Sequence, residues 1–152
     1  MVRFTRMGVF AEHSRARFDY EILETYETGI ALKGFEVKAV KSGRGNLGGA
    51  FVVPRGNELW LLNADIPPYQ PMNTPADYDS KHSRRLLLHK KEIATLIGKV
   101  SEGLTIVPLK MYDKGRMLKL LIGLGRRRKK TDKRDVIKKR EARKEIARTL
   151  KR

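Results

Sequence analysis

The sequence predicts a mainly β fold with short helices, an α+β arrangement in which a small closed antiparallel barrel precedes a basic tail. Three observations predict it. Short apolar runs of strand-like composition are punctuated by Gly, Pro and Asn. Helical periodicity in the body is confined to two short inserts. Charge is unevenly placed: of a net +17, residues 126–152 hold 15 Lys+Arg against 4 Asp+Glu, a net of +11, which leaves +6 on the first 125 residues.

Tyr20 to Thr25 and Ile30 to Lys33 read as short strands flanking a turn at Glu27-Thr28-Gly29, with Gly29 free to take a positive φ. "KGFEVKAVKSG" reads as a short helix: Val37 and Val40 share a face, Glu36 sits in the first turn and Gly43 ends it. "AFVVPRGNELWLLN" is a hairpin turning at Arg55-Gly56-Asn57, with Pro54 at a strand end. "PPYQPMNTPADYDSKHS" is a loop. After Leu86-Leu87-Leu88, "HKKEIATLIGKV" carries Ile93, Leu96, Ile97 and Val100 at i, i+3, i+4, i+7, the clearest helix of the body. "LTIVPLKMYDKGRMLKLLIGLG" is a second hairpin, turning at Asp113-Lys114-Gly115. Gly123-Leu124-Gly125 marks the boundary between a barrel body, 1–125, and the basic tail, 126–152.

Five or six short strands with two inserted helices suit a closed barrel, which leaves no exposed sheet edge. Among small barrels the oligonucleotide-binding type fits a basic chain. The tail opens on the cations Arg126, Arg127, Arg128, Lys129 and Lys130. From Val136 to Leu150 it has good helix formers and no Gly or Pro, with Ala142, Ile146 and Leu150 at i, i+4, i+8. Like charges such as Lys139 and Arg143 oppose that helix, so the tail is expected to be disordered when free and helical once phosphates neutralise it.

A charge of this size implies a polyanionic partner, most often nucleic acid. The chain has no cysteine, hence neither disulfide nor thiol chemistry, and this fits a reducing compartment. No long apolar leader opens it, and no stretch approaches the roughly 18 apolar residues of a membrane span. His13, His82 and His89 form no metal-ligand spacing, and no nucleophile-elbow motif is present. "GRGNLGG", Gly43 to Gly49, lacks the Lys-Ser/Thr end of a phosphate loop and reads as a flexible connection. The expectation is a binding protein, not an enzyme, with no cofactor and no metal.

"RARFDYEILETYETGIALKGFEVKAVKSGRGNL" (Arg15 to Leu47), "LLNADIPPY", "RRLLLHKKEIATLIGKV", "LTIVPLKMY" and "DKRDVIKKRE" occur in the order found in the small protein B (SmpB) family, the SsrA-binding proteins. Nearly the whole chain after about residue 13 resembles that family, whose members bind tmRNA in bacterial trans-translation. The resemblance implies a barrel of the oligonucleotide-binding type that holds the elbow of the tRNA-like domain of tmRNA. It implies delivery of that RNA to ribosomes stalled on truncated mRNA, with the tail helical in the empty mRNA channel of the small subunit. Alanyl-tRNA synthetase and elongation factor Tu (EF-Tu) would join through tmRNA. The chain would act in the cytoplasm as a monomer, without a membrane partner.

Carried onto this chain, the resemblance assigns tmRNA contacts to Arg15, Arg17, Glu27, Gly29, Lys38, Arg84 and Leu87. It places Thr131 and the motif Asp132-Lys133-Arg134 near the decoding centre, after the Arg126–Lys130 run. Ile137, Lys138 and Arg140 fall in the tail-helix motif, with Ile146 and Leu150 on its apolar stripe. For Leu87 the competing reading is strand burial, and for Glu27 a hydrogen bond within the turn. Three positions depart from the family pattern. His13 replaces an Asn. Asp79-Ser80-Lys81-His82-Ser83-Arg84 replaces D-P-x-R-x-R, losing the Pro and one Arg. Thr131 stands where the family commonly has Tyr or His, and phosphate contacts from the cationic run are expected to substitute for the ring. The alternative is a generic ribosomal or RNA-chaperone barrel, which would show no preference for tmRNA over bulk tRNA.

Overall fold

The computed structural model describes residues 8–150. Seven antiparallel strands form one sheet: β1 (Val9–Glu12), β2 (Tyr20–Ile30), β3 (Phe51–Arg55), β4 (Glu58–Leu62), β5 (Arg84–Leu87), β6 (Thr105–Lys114) and β7 (Met117–Arg127). The pairings β6–β3–β4–β5–β2–β7 return from β7 to β6, so six strands close into a ring. β6 serves three neighbours along its length: its first half meets β3 at Ile106, its second half meets β1, and β7 lies along its whole other edge. Four helices accompany the sheet: α1 (Ala16–Asp19), α2 (Gly34–Lys41), α3 (Lys90–Ser101) and α4 (Lys130–Leu150).

Inside the ring lie alternate residues of each strand, among them Val52, Leu59, Leu61, Leu86, Ile106, Leu120, Ile122 and Leu124, all 5% exposed or less. Val40 of α2 and Leu96 of α3 close it, and Ile93, Ile97 and Val100 of α3 pack beside them. The mainly β architecture, both hairpins and the two helical inserts are therefore as the sequence predicts. A second, smaller cluster lies outside the ring, where Ala16 of α1 covers Val107 and Leu109 with Tyr20, Ile22 and Leu121 around them. Around Ile22, Val107 and Leu121 the β2–β7–β6 wall is thus covered on both faces.

Several expectations are corrected. The segment 20–30 is one continuous strand: Glu27, Thr28 and Gly29 pair with Leu121, Leu120 and Lys119 of β7, with no turn between them. β1 and α1, too short for a legible period, are additional elements. The second hairpin turns at Gly115-Arg116, beyond Asp113 and Lys114, which are still paired strand. The Gly43–Gly49 segment is tied down: Asn46 and Asp65 exchange backbone hydrogen bonds of 2.8 and 2.9 Å, and Leu47 is buried. Gly123 and Gly125 do not end the body, because β7 continues through Arg126 and Arg127, paired with Glu21 and Tyr20. The glycine at 125 answers the β2 bulge at Ile22: a Cβ there would lie 2.3 Å from the Glu21 carbonyl oxygen.

Candidate nucleic-acid interface

Where β2 passes from β7 to β5, its outer surface and the start of α3 enclose a groove of about 810 Å³. Glu27 and Gly29 of β2, Arg85 and Leu87 of β5, Lys90 of α3 and Lys119 of β7 line it. Leu87 follows the buried Leu86 and so points outward, with 47% of its surface exposed. Strand burial is thus the wrong account of Leu87. Gly29 makes room for it: a Cβ at 29 would stand 3.1 Å from the Leu87 Cβ. The requirement for glycine at 29 is one of space, since its φ is not positive. Lys90, Lys119 and Arg85 place cations around an apolar floor, beside the partial positive charge of the α3 N-terminus. Such a groove can receive a phosphate backbone at its rim and sugar or base surface at its floor.

Glu27 is one of three acids lining this groove, with Glu58 and Glu92, and its hydrogen-bond partners come from across the sheet. Tyr112 of β6 donates its hydroxyl to Oε2, and Lys114 donates to Oε1 at 3.1 Å. The Tyr112 hydrogen bond first, then Lys114, holds the Glu27 carboxyl below the ordinary carboxylate range. Burial first, and then the same carboxylate, push the Tyr112 hydroxyl up. Glu27 is therefore an oriented anion at pH 7, an acceptor for RNA hydroxyl or amino donors and repellent to phosphate.

Arg84 is a correction. Its neighbour Arg85 faces the groove, but Arg84 points inward and is 1% exposed. Its Nε and Nη2 donate to Glu36 Oε2 at 2.9 and 2.7 Å, and other donors reach the carbonyls of Ala64 and Ser80 and the Tyr78 hydroxyl. No donor is left for RNA, and no surface is left to touch it. Glu36 is 1% exposed; it also accepts from the Lys33 amide, from His82 Nε2 at 2.8 Å and from Tyr78. Burial pushes the Glu36 carboxyl up, but the Lys33 amide and the Arg84 guanidinium together hold it below its usual range. Burial and the Glu36 carboxylate push Tyr78 up to about 12. This network fastens the 64–83 loop to α2. His82 joins the network by donating to the same carboxylate.

The remaining expected contacts divide between two places. Lys38 is exposed on α2. Arg15 and Arg17 are exposed on α1 and its N-cap, next to the root of the tail and away from Leu87 in the sheet order. The tail is a helix from Lys130 to Leu150 with no buried residue. It begins after Arg126 and Arg127 have ended β7 and Arg128 has bonded to α1: the Arg128 amide donates to the Asp19 carbonyl at 2.8 Å and its Nε to the Arg17 carbonyl at 3.2 Å. The Lys129 amide donates to Asp132, the first-turn acid. Lys133 reaches Asp19 at 3.2 Å, and the cationic heads of Arg15, Lys133 and Arg140 lie 5.4, 5.7 and 6.0 Å from the Phe18 ring. Thr131, Arg134 and Lys138 are exposed, as are Ile137, Ile146 and Leu150 at 42, 58 and 80%. The apolar stripe is uncovered.

Sequence reasoning missed Tyr112 and Lys114 as partners of Glu27, and Phe18 and Asp19 as the seat of the tail. Each acts across a sequence distance that local patterning does not register. Among the described residues no cluster of His, Asp and Glu stands together as a metal site, and no helix is long and apolar enough to cross a membrane.

Three comparisons bear on this surface. A family model described as SmpB protein matches residues 10–152. The SsrA-binding protein of Synechocystis sp. is 47% identical over 148 residues, covering 97% of this chain and 96% of the relative. The SsrA-binding protein of Synechococcus elongatus is 47% identical over 145 residues, covering 95% and 94%. A solved chain described as "tmRNA-SmpB: a journey to the center of the bacterial ribosome" superposes with a TM-score of 0.64 at 48% identity, covering 78% of this chain and 84% of that one.

Proposed function

The chain belongs to the SmpB protein family, and from that membership and its surface we propose that it binds tmRNA and serves trans-translation, bringing the tRNA-like domain to ribosomes stalled on truncated mRNA. tmRNA and the ribosome are its partners. The observation that carries this reading is the groove in which an outward Leu87, accommodated by Gly29, stands beside a fixed Glu27 carboxylate, with Arg85, Lys90 and Lys119 in the same lining. A merely electrostatic RNA anchor has no use for an exposed leucine or an oriented anion; a surface that selects one RNA shape has use for both. Arg15 and Arg17 belong to the tail's side of the body, and Lys38 to a separate exposed patch.

The tail is assigned to the ribosome. The helix Lys130–Leu150, with no residue buried against the body, is the part offered to the vacant mRNA channel, with Asp132, Lys133 and Arg134 near the decoding centre. Alanyl-tRNA synthetase and elongation factor Tu join through tmRNA. The protein acts as a monomer in the cytoplasm and carries no catalytic step.

The test is filter binding of the full chain to a transcript of the tRNA-like domain, with bulk tRNA as competitor. The expected result is a preference of at least about tenfold, reduced by Leu87→Asp and by Glu27→Gln without loss of the barrel's circular dichroism. Equal affinity for both RNAs would leave a generic ribosomal or RNA-chaperone barrel.

A further inference from the structure

Strands that cover a core on one side usually turn polar residues to water on the other. The outer face of β3–β4–β5 does not. Val52, Leu59, Leu61 and Leu86 point inward, so their neighbours Phe51, Val53, Trp60 and Leu62 point outward. Phe51 pairs with Leu62 and Val53 with Trp60 across the hairpin, making one apolar patch. None of the four packs against the hydrophobic core, and Phe51 is 44% exposed. Charge is present only at the edges. Arg55 holds its guanidinium 5.9 Å from the centre of the Trp60 ring, and Arg85, in register with Trp60, binds the Glu58 carboxylate at 3.2 Å.

Two further observations say what covers this face. The first is charge. The edge groups are two arginines and one carboxylate that is already paired, so the patch attracts an anion; aromatic rings framed by guanidinium groups are the composition of base-stacking surfaces on nucleic-acid-binding barrels. The second is continuity. Arg85 and Glu58 line the groove of Glu27 and Leu87 as well as the edge of the apolar patch, so the floor of the groove runs onto the face without a break.

We propose that the outer face of β3–β4–β5 is a stacking platform for an unpaired nucleobase of the tRNA-like RNA held in the groove, with Trp60 and Phe51 as the rings and Arg55 and Arg85 as phosphate partners. The proposal rests on the function proposed above and adds a subsite to it. In the free protein Arg55 caps the indole. On binding, the base takes that position and Arg55 turns to the flanking phosphate. The contact is indifferent to base identity, because every base offers a π face; it selects RNA whose shape brings an unstacked base alongside the groove.

Trp60 is the only tryptophan in the chain, so its fluorescence reports this face alone. The full-length protein is titrated with the tRNA-like domain transcript and, separately, with purified small ribosomal subunits. Expected with the transcript is quenching whose midpoint matches filter binding. Trp60→Ala is expected to bind about tenfold more weakly, Trp60→Phe to retain most of the affinity, and Phe51→Ser to weaken binding less than Trp60→Ala, all with unchanged thermal unfolding. Specific filter binding without quenching, together with unaltered affinity in Trp60→Ala and Phe51→Ser, overturns the platform and leaves the groove standing. Quenching by ribosomal subunits alone overturns it too. Loss of preference over bulk tRNA in the unsubstituted protein removes the groove reading, and the platform with it.

Discussion

Asp19 holds the root of the tail at two points: its backbone carbonyl accepts from the Arg128 amide at 2.8 Å, and its carboxylate meets Lys133 at 3.2 Å. Lys133 belongs to the Asp132-Lys133-Arg134 motif, so the residue expected at the decoding centre is engaged within the molecule. Both side chains are roughly 30% exposed, and such a pair contributes about 0–1 kcal/mol. It can direct the first turns of α4 and can be exchanged for ribosomal RNA.

Asp19→Asn is accordingly expected to leave the barrel's melting temperature almost unchanged while loosening the tail. Hydrogen exchange of amides 132–140 should accelerate several-fold, since opening needs one interaction fewer. Unchanged exchange there would mean that the Phe18 ring and the Arg128 hydrogen bonds seat the tail without this pair.

Truncation should depend on the cut. Stopping after Arg128 keeps the Glu21–Arg126 and Tyr20–Arg127 pairs and the Arg128 bond to Asp19; stopping after Gly125 removes them. The longer body should unfold like the full chain and keep its preference for the tRNA-like domain; the shorter should melt several degrees lower. Neither should support tagging in a reconstituted stalled-translation assay. On non-specific RNA the truncated body should also show a shallower salt dependence, each lost phosphate contact changing the log–log slope by roughly 0.9 on a duplex. Tagging by the longer body would refute the ribosomal role of residues 129–152.

Gly29→Ala tests spatial fit. The added methyl meets the Leu87 Cβ at 3.1 Å, tighter than ordinary contact, so Leu87 must shift outward. A loss of up to about 1 kcal/mol of stability and several-fold weaker binding to the tRNA-like domain are expected, with bulk tRNA binding unaltered. Equal losses for both RNAs would show that Leu87 is not a selecting contact.

Removing one partner of the Glu36–Arg84 pair strands a charge in the interior. Arg84→Met should cost about 3–5 kcal/mol in urea unfolding, and Arg84→Met with Glu36→Leu should recover part of it. The pair also fixes the direction of the pH dependence. The folded Glu36 carboxyl lies below its ordinary value of 4.5, so its stabilising contribution is complete above that pH and drains away as pH falls through the lower folded value. The parent protein should therefore lose stability on acidification below about pH 4.5 more steeply than the double variant; parallel curves would mean other carboxylates dominate.

Short-range periodicity and turn chemistry are legible in the residues alone. Alternation and Gly56 placed the β3–β4 hairpin, the 3.6-residue pattern of Ile93 to Val100 placed α3, and the charge asymmetry separated a basic tail from a body. The motif order was enough to point to the family. Which of two adjacent arginines is buried depends on contacts from distant segments. Arg84 and Arg85 are chemically identical in the sequence, and alternation along β5 sends them to opposite faces without saying which goes in. The inward place is tolerable for a guanidinium only because Glu36, Tyr78 and the carbonyls of Ala64 and Ser80, from a helix and a loop distant in sequence, arrive to satisfy its donors. The same holds for Glu27: Gly29 reads locally as a turn residue, and it became strand because the β7 ladder pairs every residue around it. Local chemistry sets what a residue can do, whereas burial and partnership are set by contacts whose strength depends on the desolvation that the whole fold imposes.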